Sequence, residues 1–553
     1  MPSINRRQSI AAIASVAAMA RFESPAFAAE SSIFRHGVAS GDPAQTSMVL
    51  WTRVSSDEDE VAVEWELASD RDFRSIVKTG RAAARRARDH TIKVVPSGLK
   101  PGRTYFYRFK AKGELSAVGR GRTLAKAGLE ELGIALMSCT NYSLGYFNAY
   151  DAIANDLAID YILHTGDYYY EYGNEFAKQS SYYVRPSEPH NETVTLADYR
   201  QRHATHKGDP HSQRMHAAHT LIALWDDHEF CNDAWRGGGQ NHDPSTEGPW
   251  QARRDAAVRA YYEWMPVRDP VDQASALDLW REYRFGGLAT MVTLEARVSA
   301  RDKPVEYREH KDQIRTPADR DAFVRDVLGA SDRRMLSVGM EATLSQAIRR
   351  SVSAGEPWRL IGNGTLLARV LTPQLPSSGV TASAYPELAA LDGFTDFFWR
   401  SENRLPESPD AWDGYPAARR RFYDICKDAG AHDLLALSGD SHSFWSNRLV
   451  DDDGVAMGVE LGTAGITSPS LFDLLQFRPE LTTKLDALYA AANPDVAWTS
   501  SAHRGYVRVR LTRKDATADF VAVETGSPGV YTTSTLRTDR IVHRAGSLVY
   551  ETA

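Results

Sequence analysis

The sequence predicts an α/β protein preceded by a small all-β domain of the fibronectin or immunoglobulin sandwich type. Short runs of alternating apolar and polar residues fill residues 33–127, and turn residues separate them. Over residues 128–553, short apolar runs alternate with segments of helical periodicity, which is typical of parallel strands joined by helices. The 553 residues are enough for about two to four domains at roughly 150 residues each.

The composition is that of an ordinary globular protein. Hydrophobic residues make up 42% of the chain and charged residues 25%, which excludes a disordered, collagen-like or membrane-spanning chain. The 65 Lys and Arg residues against 72 Asp and Glu residues give a formal net charge of −7. This mild acidity argues against non-specific nucleic-acid binding, which needs a basic face.

Residues 1–28 have the features of a secretory signal peptide. The pair Arg6-Arg7 precedes a small-residue and apolar run, Ile10–Ala20, which is shorter than the about 20 residues of a membrane span. Ala26–Ala28 fits a small-x-small cleavage site. The arginine pair favours twin-arginine export, and hence a periplasmic or extracellular protein that meets the twin-arginine export machinery. The alternative is a basic N-terminal helix that frays.

The strands of the predicted sandwich alternate in hydrophobicity. Ser47–Thr52 and Val61–Glu66 are such runs, and Thr104–Phe109 follows the turn sequence Gly98–Gly102. About seven strands in this stretch would complete a sandwich.

The second region begins with a predicted β-α-β unit. Ile134–Met137 and Tyr161–Leu163 are apolar runs, and apolar residues recur at helical spacing between them, from Phe147 to Leu157. Later segments continue the alternation. The predicted strands are Leu221–Trp225, Leu288–Leu294, Arg359–Ile361 and Leu434–Leu437, and two of the predicted helices are Gln251–Trp264 and Ala417–Asp428.

Metal-binding residue types follow four of these strands directly. One strand precedes Cys139, the next His164–Tyr170, the third Asp226–Glu229 and a late one Asp440–His442. Ligands of open α/β sheets bind beyond the carboxyl ends of the strands, so we expect these side chains to meet. Carboxylates gathered in one place repel each other and raise each other's pKa values unless cations compensate them. A pair of metal ions is the expected solution.

These blocks carry a resemblance to a known family. Gly166-Asp167-x-x-Tyr170, Asp227-His228-Glu229 and Gly439-Asp440-x-His442 resemble the blocks of calcineurin-like metallophosphoesterases. A fuller match, over nearly the whole chain, is to the PhoD-type alkaline phosphatases. It rests on five blocks in order, at residues 34–43 (FRHGVASGDP), 166–173 (GDYYYEYG), 225–229 (WDDHE), 261–266 (YYEWMP) and 412–416 (WDGYP). The resemblance implies a calcineurin-like α/β sandwich as the catalytic domain.

The resemblance also implies a two-metal site. Asp167 would be shared by both ions, and the first ion would also bind Cys139, Tyr170 and His442. The second ion would bind Asp227 and Asp440, with Asn363 as a further ligand, and His228 would protonate the leaving group. The donor set favours Fe³⁺ in the first site and Ca²⁺ in the second, as described for the family, with Zn²⁺ as the alternative.

The implied activity is hydrolysis of phosphate esters. A metal-activated hydroxide would attack phosphate monoesters and diesters and release inorganic phosphate. One alternative is a phospholipase D-like phosphodiesterase on the same scaffold, and another is a non-catalytic surface binding protein. The sequence leaves open the roles of Asp226, Glu295 and Arg297, and whether the chain after Val523 covers the site. Most of the eight histidines between His190 and His242 are expected on loops or helix surfaces, and only His228 is given a role.

Overall fold

The structure is a computed structural model that describes residues 32–381, 383–384 and 392–551. The predicted signal peptide, residues 1–28, lies outside these ranges. Within them, the helices all fall short of the length and apolarity that a membrane crossing needs.

Strands and helices alternate through most of the described chain. The strands, numbered in chain order, are β1 (Val38–Gly41), β2 (Val49–Arg53), β3 (Glu60–Ala68), β4 (Ile76–Arg85), β5 (Thr91–Val94), β6 (Thr104–Ala111), β7 (Glu114–Leu115), β8 (Gly119–Arg122), β9 (Glu131–Met137), β10 (Tyr161–His164), β11 (Thr220–Ala223), β12 (Arg281–Phe285), β13 (Ala289–Thr293), β14 (Trp358–Asn363), β15 (Leu434–Ser438), β16 (Phe444–Val450), β17 (Ala456–Gly462), β18 (Val496–Ser500), β19 (Gly505–Thr512), β20 (Asp515–Thr525), β21 (Tyr531–Arg544) and β22 (Ser547–Glu551). The α-helices are α1 (Asn148–Ala154), α2 (Asn174–Ala177), α3 (Leu196–Gly208), α4 (Pro210–Ala218), α5 (Pro244–Glu247), α6 (Trp250–Trp264), α7 (Pro317–Phe323), α8 (Val338–Ser353), α9 (Asp392–Asn403), α10 (Pro416–Asp428), α11 (Leu471–Leu474) and α12 (Pro479–Ala492).

Two large sheets form the centre of the molecule. One has the strand order β22-β21-β20-β19-β9-β10-β11-β1-β2-β5, and the other β12-β13-β14-β15-β17-β16-β18. Strands β9, β10 and β11 are parallel, as are β13, β14, β15 and β17. The carboxyl ends of each parallel set therefore lie on one edge of its sheet.

The apolar faces of the two sheets share one core. Leu136 and Leu163 from the first sheet lie in the same buried cluster as Leu360 and Leu437 from the second. Helices α1, α3, α4 and α6 cover the outside of the first sheet, and α8 and α10 cover the second. The result is a layered α-β-β-α arrangement, and the α/β prediction is confirmed.

The N-terminal region is an all-β layer against this core. Strands β4, β3, β6 and β7, with β8 beside β6, form a five-stranded sheet that shares a buried cluster with β1, β2 and β5. Strand β1 also pairs in parallel with β11, through Ser40 and Thr220. One layer of the predicted sandwich is thus continuous with the central sheet. The predicted boundaries, 33–127 and 128–553, remain predictions.

The predicted strands and helices correspond to observed elements within a few residues. The run Ile134–Met137 lies in β9, Arg359–Ile361 in β14, and the helix predicted at Gln251–Trp264 is α6. The predicted helical periodicity from Phe147 to Leu157 extends too far. Helix α1 ends at Ala154, and Leu157 is 79% exposed rather than part of a buried helix face.

Candidate metal centre

The loops after β9, β10, β11 and β15 bring the predicted ligands together. An isolated parallel bridge between Ser138 and Gly465 joins the two sheets directly beside Cys139. Four of the predicted ligands have left-handed backbones, with φ of 60° at Cys139, 55° at Asp167, 63° at Asp440 and 54° at His442. Such conformations cost on the order of 1–3 kcal/mol each and cluster at functional sites.

The tight loop after β10 depends on a glycine. Gly166 has a φ of +106°, and a Cβ there would lie 2.4 Å from the Cβ of Asp226. Only glycine combines this backbone conformation with so close an approach. The approach sets the Asp167 loop against the Asp226–Asp227 loop.

One group of ligand atoms combines sulfur, phenol, imidazole and carboxylate. The Cys139 thiol donates to Asp167 Oδ2 at 3.5 Å, and the Tyr170 hydroxyl lies 3.2 Å from the same oxygen. The Tyr170 hydroxyl is also 2.8 Å from His442 Nε2. His442 Nδ1 lies 2.7 Å from the carbonyl oxygen of Pro469, which fixes the tautomer and leaves Nε2 to face the group.

A second group consists of carboxylates around the same aspartate. Single oxygens of Asp167, Asp226, Asp227 and Asp440 all lie within 4.8 Å of one another. Asp227 Oδ2 accepts a 2.5 Å hydrogen bond from the backbone N–H of Asp233. Its Oδ1 is buried, lies 3.5 Å from the Arg297 guanidinium and has no hydrogen-bond partner among the residues that the structure describes. Buried polar atoms normally have partners, so this oxygen fits a cation ligand.

The electrostatics of the cluster also fit bound cations. Burial raises the pKa of Asp167 well above its usual value in spite of the nearby His228, with repulsion from Asp227 adding to it. Burial and then neighbouring carboxylates likewise raise the pKa of Asp440, although Arg297 opposes them. Burial and Asp167 raise the pKa of the Cys139 thiol. These groups become anionic ligands together only beside positive charge, which metal ions supply.

Arg297 provides part of that positive charge. Its guanidinium binds Asp226 through two hydrogen bonds of 2.5 and 2.8 Å, and it lies 3.5 Å from Asp227. A third hydrogen bond of 2.5 Å goes to Asp410. Glu295 accepts hydrogen bonds from the backbone N–H groups of Arg297 and the two residues after it. Asp226 is therefore paired with Arg297, and Glu295 holds the loop that presents this arginine.

Two buried glutamates that the sequence analysis did not single out organise the loops. Glu229 accepts hydrogen bonds from the backbone N–H groups of Asp167, Tyr168 and Asp226, at 2.7 to 3.0 Å. Glu171 accepts from the backbone of Asn232 and lies 2.7 Å from His228 Nδ1. Glu229 belongs to the sequence block WDDHE and Glu171 to GDYYYEYG, and both blocks contain predicted ligands. This position next to predicted ligands is the sequence signal by which the two glutamates could have been predicted.

His228 lies at the junction of the cluster and an open cleft. Its backbone N–H donates to Asp167 Oδ1 at 3.3 Å, and its ring centroid is 4.1 Å from that of Tyr170. Burial lowers the pKa of this histidine, but Glu171, Asp227 and Asp167 outweigh burial and raise it well above its usual value. Glu171 holds Nδ1, so Nε2 is the nitrogen available to another group, and His228 also belongs to a group of possible ligand atoms with Asp167 and Asp227.

Asn363 is the last residue of β14, beside Ser438 of β15. Its side-chain oxygen accepts a 3.3 Å hydrogen bond from the Trp412 indole, and its amide donates to the carbonyl of Thr365. The neighbouring Gly364 packs on Asp226. Asn363 thus lies at the carboxyl edge with the cluster, and its role as a ligand stays a prediction.

A cleft of about 320 Å³ opens onto the cluster. Tyr170, His228 and His442 form its inner end, and the remaining wall is largely aromatic, apolar or uncharged. Arg202 also lines the cleft, but its guanidinium donates to the backbone carbonyls of Tyr170, Tyr172, Glu188 and Pro189. Strands β20–β22 lie at the far edge of the central sheet, and the residues described there do not line this cleft.

The expectation for the other histidines fails for three residues of α3 and α4. His203, His206 and His216 are buried inside the molecule, and His203 is fully enclosed against Trp264. His190, His219 and His242 lie on loops as expected, although His219 is buried there. The sequence of helix α3 has polar residues on all faces. The helix nevertheless lies between the central sheet and α6, and this position buries several of its charged and imidazole side chains.

Fold and cluster together define the class of this protein as an α/β phosphoesterase. The chain belongs to the PhoD-like phosphatase family: the model described as PhoD-like phosphatase matches residues 134–520, and that of the PhoD-like N-terminal domain matches residues 18–125. Alkaline phosphatase D of Bacillus subtilis (strain 168) is 31% identical over 521 residues, which cover 88% of this chain and 77% of that protein. A solved structure described as "Structure of PhoD" has a TM-score of 0.76 and 28% identity, covering 96% of this chain and 94% of the other. The predicted family, fold class and enzyme class, a phosphoric ester hydrolase, are confirmed.

Proposed function

We propose that this protein is an exported, metal-dependent phosphoesterase that hydrolyses phosphate monoesters and diesters. The observation that carries the proposal is the sharing of Asp167 by three groups of ligand atoms: one with Cys139 and His442, and two with Asp227. Shared carboxylates between two adjacent ion sites are the arrangement of two-metal phosphoester hydrolysis.

The ligand roles follow the chemistry of each group. Cys139, Asp167, Tyr170 and His442 would hold the first ion, and their anionic donors favour Fe³⁺. Asp167, Asp227, Asp440 and Asn363 would hold the second, and their oxygens favour Ca²⁺. Zn²⁺ is the alternative. When bound, the ions would neutralise phosphate oxygens and make water a better nucleophile at neutral pH.

His228 is proposed as the acid for the leaving alcohol. Water supplies the new oxygen on phosphorus, the ester P–O bond breaks, and the alcohol oxygen leaves with a proton from His228. Glu171 orients the ring and compensates its positive charge from 2.7 Å.

The cleft fits diesters as well as monoesters. Among the described residues that line it, arginine is represented by Arg202, whose guanidinium is committed to backbone carbonyls. Phosphate charge must therefore be neutralised at the metal centre. A diester carries less charge than a monoester, so it needs fewer of these contacts.

Removal of metal tests the proposal. We expect the purified protein to contain two metal ions per chain by elemental analysis and to hydrolyse bis(4-nitrophenyl) phosphate and 4-nitrophenyl phosphate. A chelator should abolish both activities, and adding the ions back should restore them. A metal-free protein with full activity would contradict the proposal. Choline release from phosphatidylcholine in the same assay would favour the phospholipase D-like alternative.

Export is the second part of the proposal and rests on residues 1–28. Replacing Arg6 and Arg7 by lysine should keep the precursor in the cytoplasm, because the twin-arginine pathway requires the pair. The fraction of cleaved protein outside the cytoplasm, measured by immunoblot, tests this expectation. Arg21→Lys, beyond the apolar run, is the matched control and should export normally. Normal export of the double variant would contradict the assignment.

A further inference from the structure

Three aromatic rings lead from the metal centre to the cleft mouth. We call Tyr170, Tyr172 and Phe176 the aromatic row. The planes of Tyr170 and Tyr172 are inclined by 25° with centroids 6.5 Å apart, and those of Tyr172 and Phe176 by 25° with centroids 4.3 Å apart. Tyr170 touches the ligand atoms at the inner end, so the row begins where phosphorus would be held.

Phe176 presents apolar surface to solvent at the other end. Its side chain is 56% exposed although one face stacks on Tyr172. It stands on the single-turn helix α2, which is fixed by reciprocal 2.9 Å hydrogen bonds between the Asn174 side chain and the backbone of Ser187. Because Phe176 lines the cleft, its exposed ring offers a contact surface to an apolar group of a ligand.

The row lies beside the residue proposed as the acid. The ring centroid of His228 is 4.1 Å from that of Tyr170 and 5.4 Å from that of Tyr172. An alcohol that receives its proton from His228 would therefore leave next to these rings. Leu474, 53% exposed, also lines the cleft and is apolar.

We propose that Phe176 and Tyr172 form a subsite for the departing alcohol, and that the subsite selects phosphoesters whose alcohol carries a flat ring close to the ester oxygen. A flat ring close to the ester oxygen can pack against the sides of Tyr172 and Phe176 that line the cleft, whereas a flexible chain must lose rotational freedom to cover the same surface. This inference rests on the proposed phosphoesterase function and adds the class of leaving group to it.

Two diesters with similar leaving groups test the subsite. Dibenzyl phosphate and dibutyl phosphate both release an unactivated alcohol, and the released alcohol is measured by chromatography. We expect the metal-loaded wild type to have the lower KM for dibenzyl phosphate. Phe176→Ala and Phe176→Leu should raise the KM for dibenzyl phosphate by about 3- to 10-fold and leave kcat unchanged. This change corresponds to the interaction free energy of one aromatic pair. Phe176→Trp should keep the preference.

The controls separate this inference from the function on which it rests. Leu157→Ala removes another exposed apolar side chain, outside the cleft, and should change neither KM. Equal changes in KM for both diesters, or none, in Phe176→Ala would overturn the subsite and leave the phosphoesterase assignment intact. Failure of the metal-loaded wild type to hydrolyse either diester or 4-nitrophenyl phosphate would overturn both.

Discussion

Asp167→Asn is expected to abolish hydrolysis and to release metal from both sites. Asp167 is the residue common to every group of ligand atoms found in the described part of the chain. An amide supplies one neutral oxygen where a carboxylate supplies two charged ones, so the ligand proposed to be common to both ions would be lost. We expect kcat/KM to fall by at least about 10²–10³-fold, the loss that follows removal of a single charge-stabilising group. Elemental analysis and phosphatase assays on the same preparation measure both effects.

Asp486→Asn is the matched control for this variant. Asp486 is also buried, and its carboxylate accepts a 3.0 Å hydrogen bond from the Ser501 backbone, which an amide oxygen can equally accept. It lies outside the cleft and the ligand groups. Asp486→Asn should keep its metal and its activity. An Asp167→Asn protein with the wild-type metal content would contradict the bridging role.

The strand ends explain how much of the candidate site the sequence could predict. Apolar runs locate parallel strands, and each of the strands β9, β10, β11 and β15 is followed within two to four residues by a residue type that binds metal. Because the parallel strands β9, β10 and β11 end on one edge, proximity of Cys139, Asp167 and Asp227 follows without coordinates. Asp440 follows β15 of the second sheet, and its proximity depends on how the two sheets stack. The ligand pattern is thus encoded locally, one strand at a time.

Contacts between distant loops could not be predicted in this way. Arg297 stands two residues after a glutamate, and the sequence does not indicate which residues it pairs with. In the structure it forms ion pairs with Asp226 and Asp410. The sequence leaves the role of Arg297 open, and in the structure its guanidinium donates hydrogen bonds to the carboxylates of Asp226 and Asp410. The parallel pairing of Ser40 with Thr220, which joins the N-terminal layer to the central sheet, is equally non-local.

The buried polar residues behind the Asp167 loop show a second limit of prediction from the sequence. Lys207 is buried with its ammonium 5.1 Å from the Trp51 ring and 5.2 Å from the Tyr168 ring, and 2.8 Å from His216. Burial lowers its pKa well below the usual value. Charged and imidazole side chains at regular helical spacing indicate a solvated face, and that rule fails where aromatic rings from two layers enclose the helix.

His228→Asn is expected to lower turnover strongly while the metal content stays at the wild-type level. The Asn side chain can keep a hydrogen bond toward Glu171 but cannot transfer a proton to the alcohol. For diesters of unactivated alcohols we expect kcat to fall by about 10²–10⁴-fold, the usual contribution of general acid catalysis. For diesters of 4-nitrophenol the fall should be much smaller, because the nitrophenolate leaves without a proton. A series of leaving groups of increasing pKa, assayed with both proteins, measures the difference in slope.

His242→Asn is the control for His228→Asn. It tests whether the loss of another buried histidine changes the dependence of turnover on the leaving group. His242 lies 2.8 Å from Glu247 as His228 lies 2.7 Å from Glu171, but it does not line the cleft. Its replacement should leave the leaving-group dependence unchanged. An equal loss for nitrophenyl and alkyl esters in His228→Asn would contradict proton donation by this residue. It would instead leave His228 a positioning role through the contact of its imidazole ring with Tyr170.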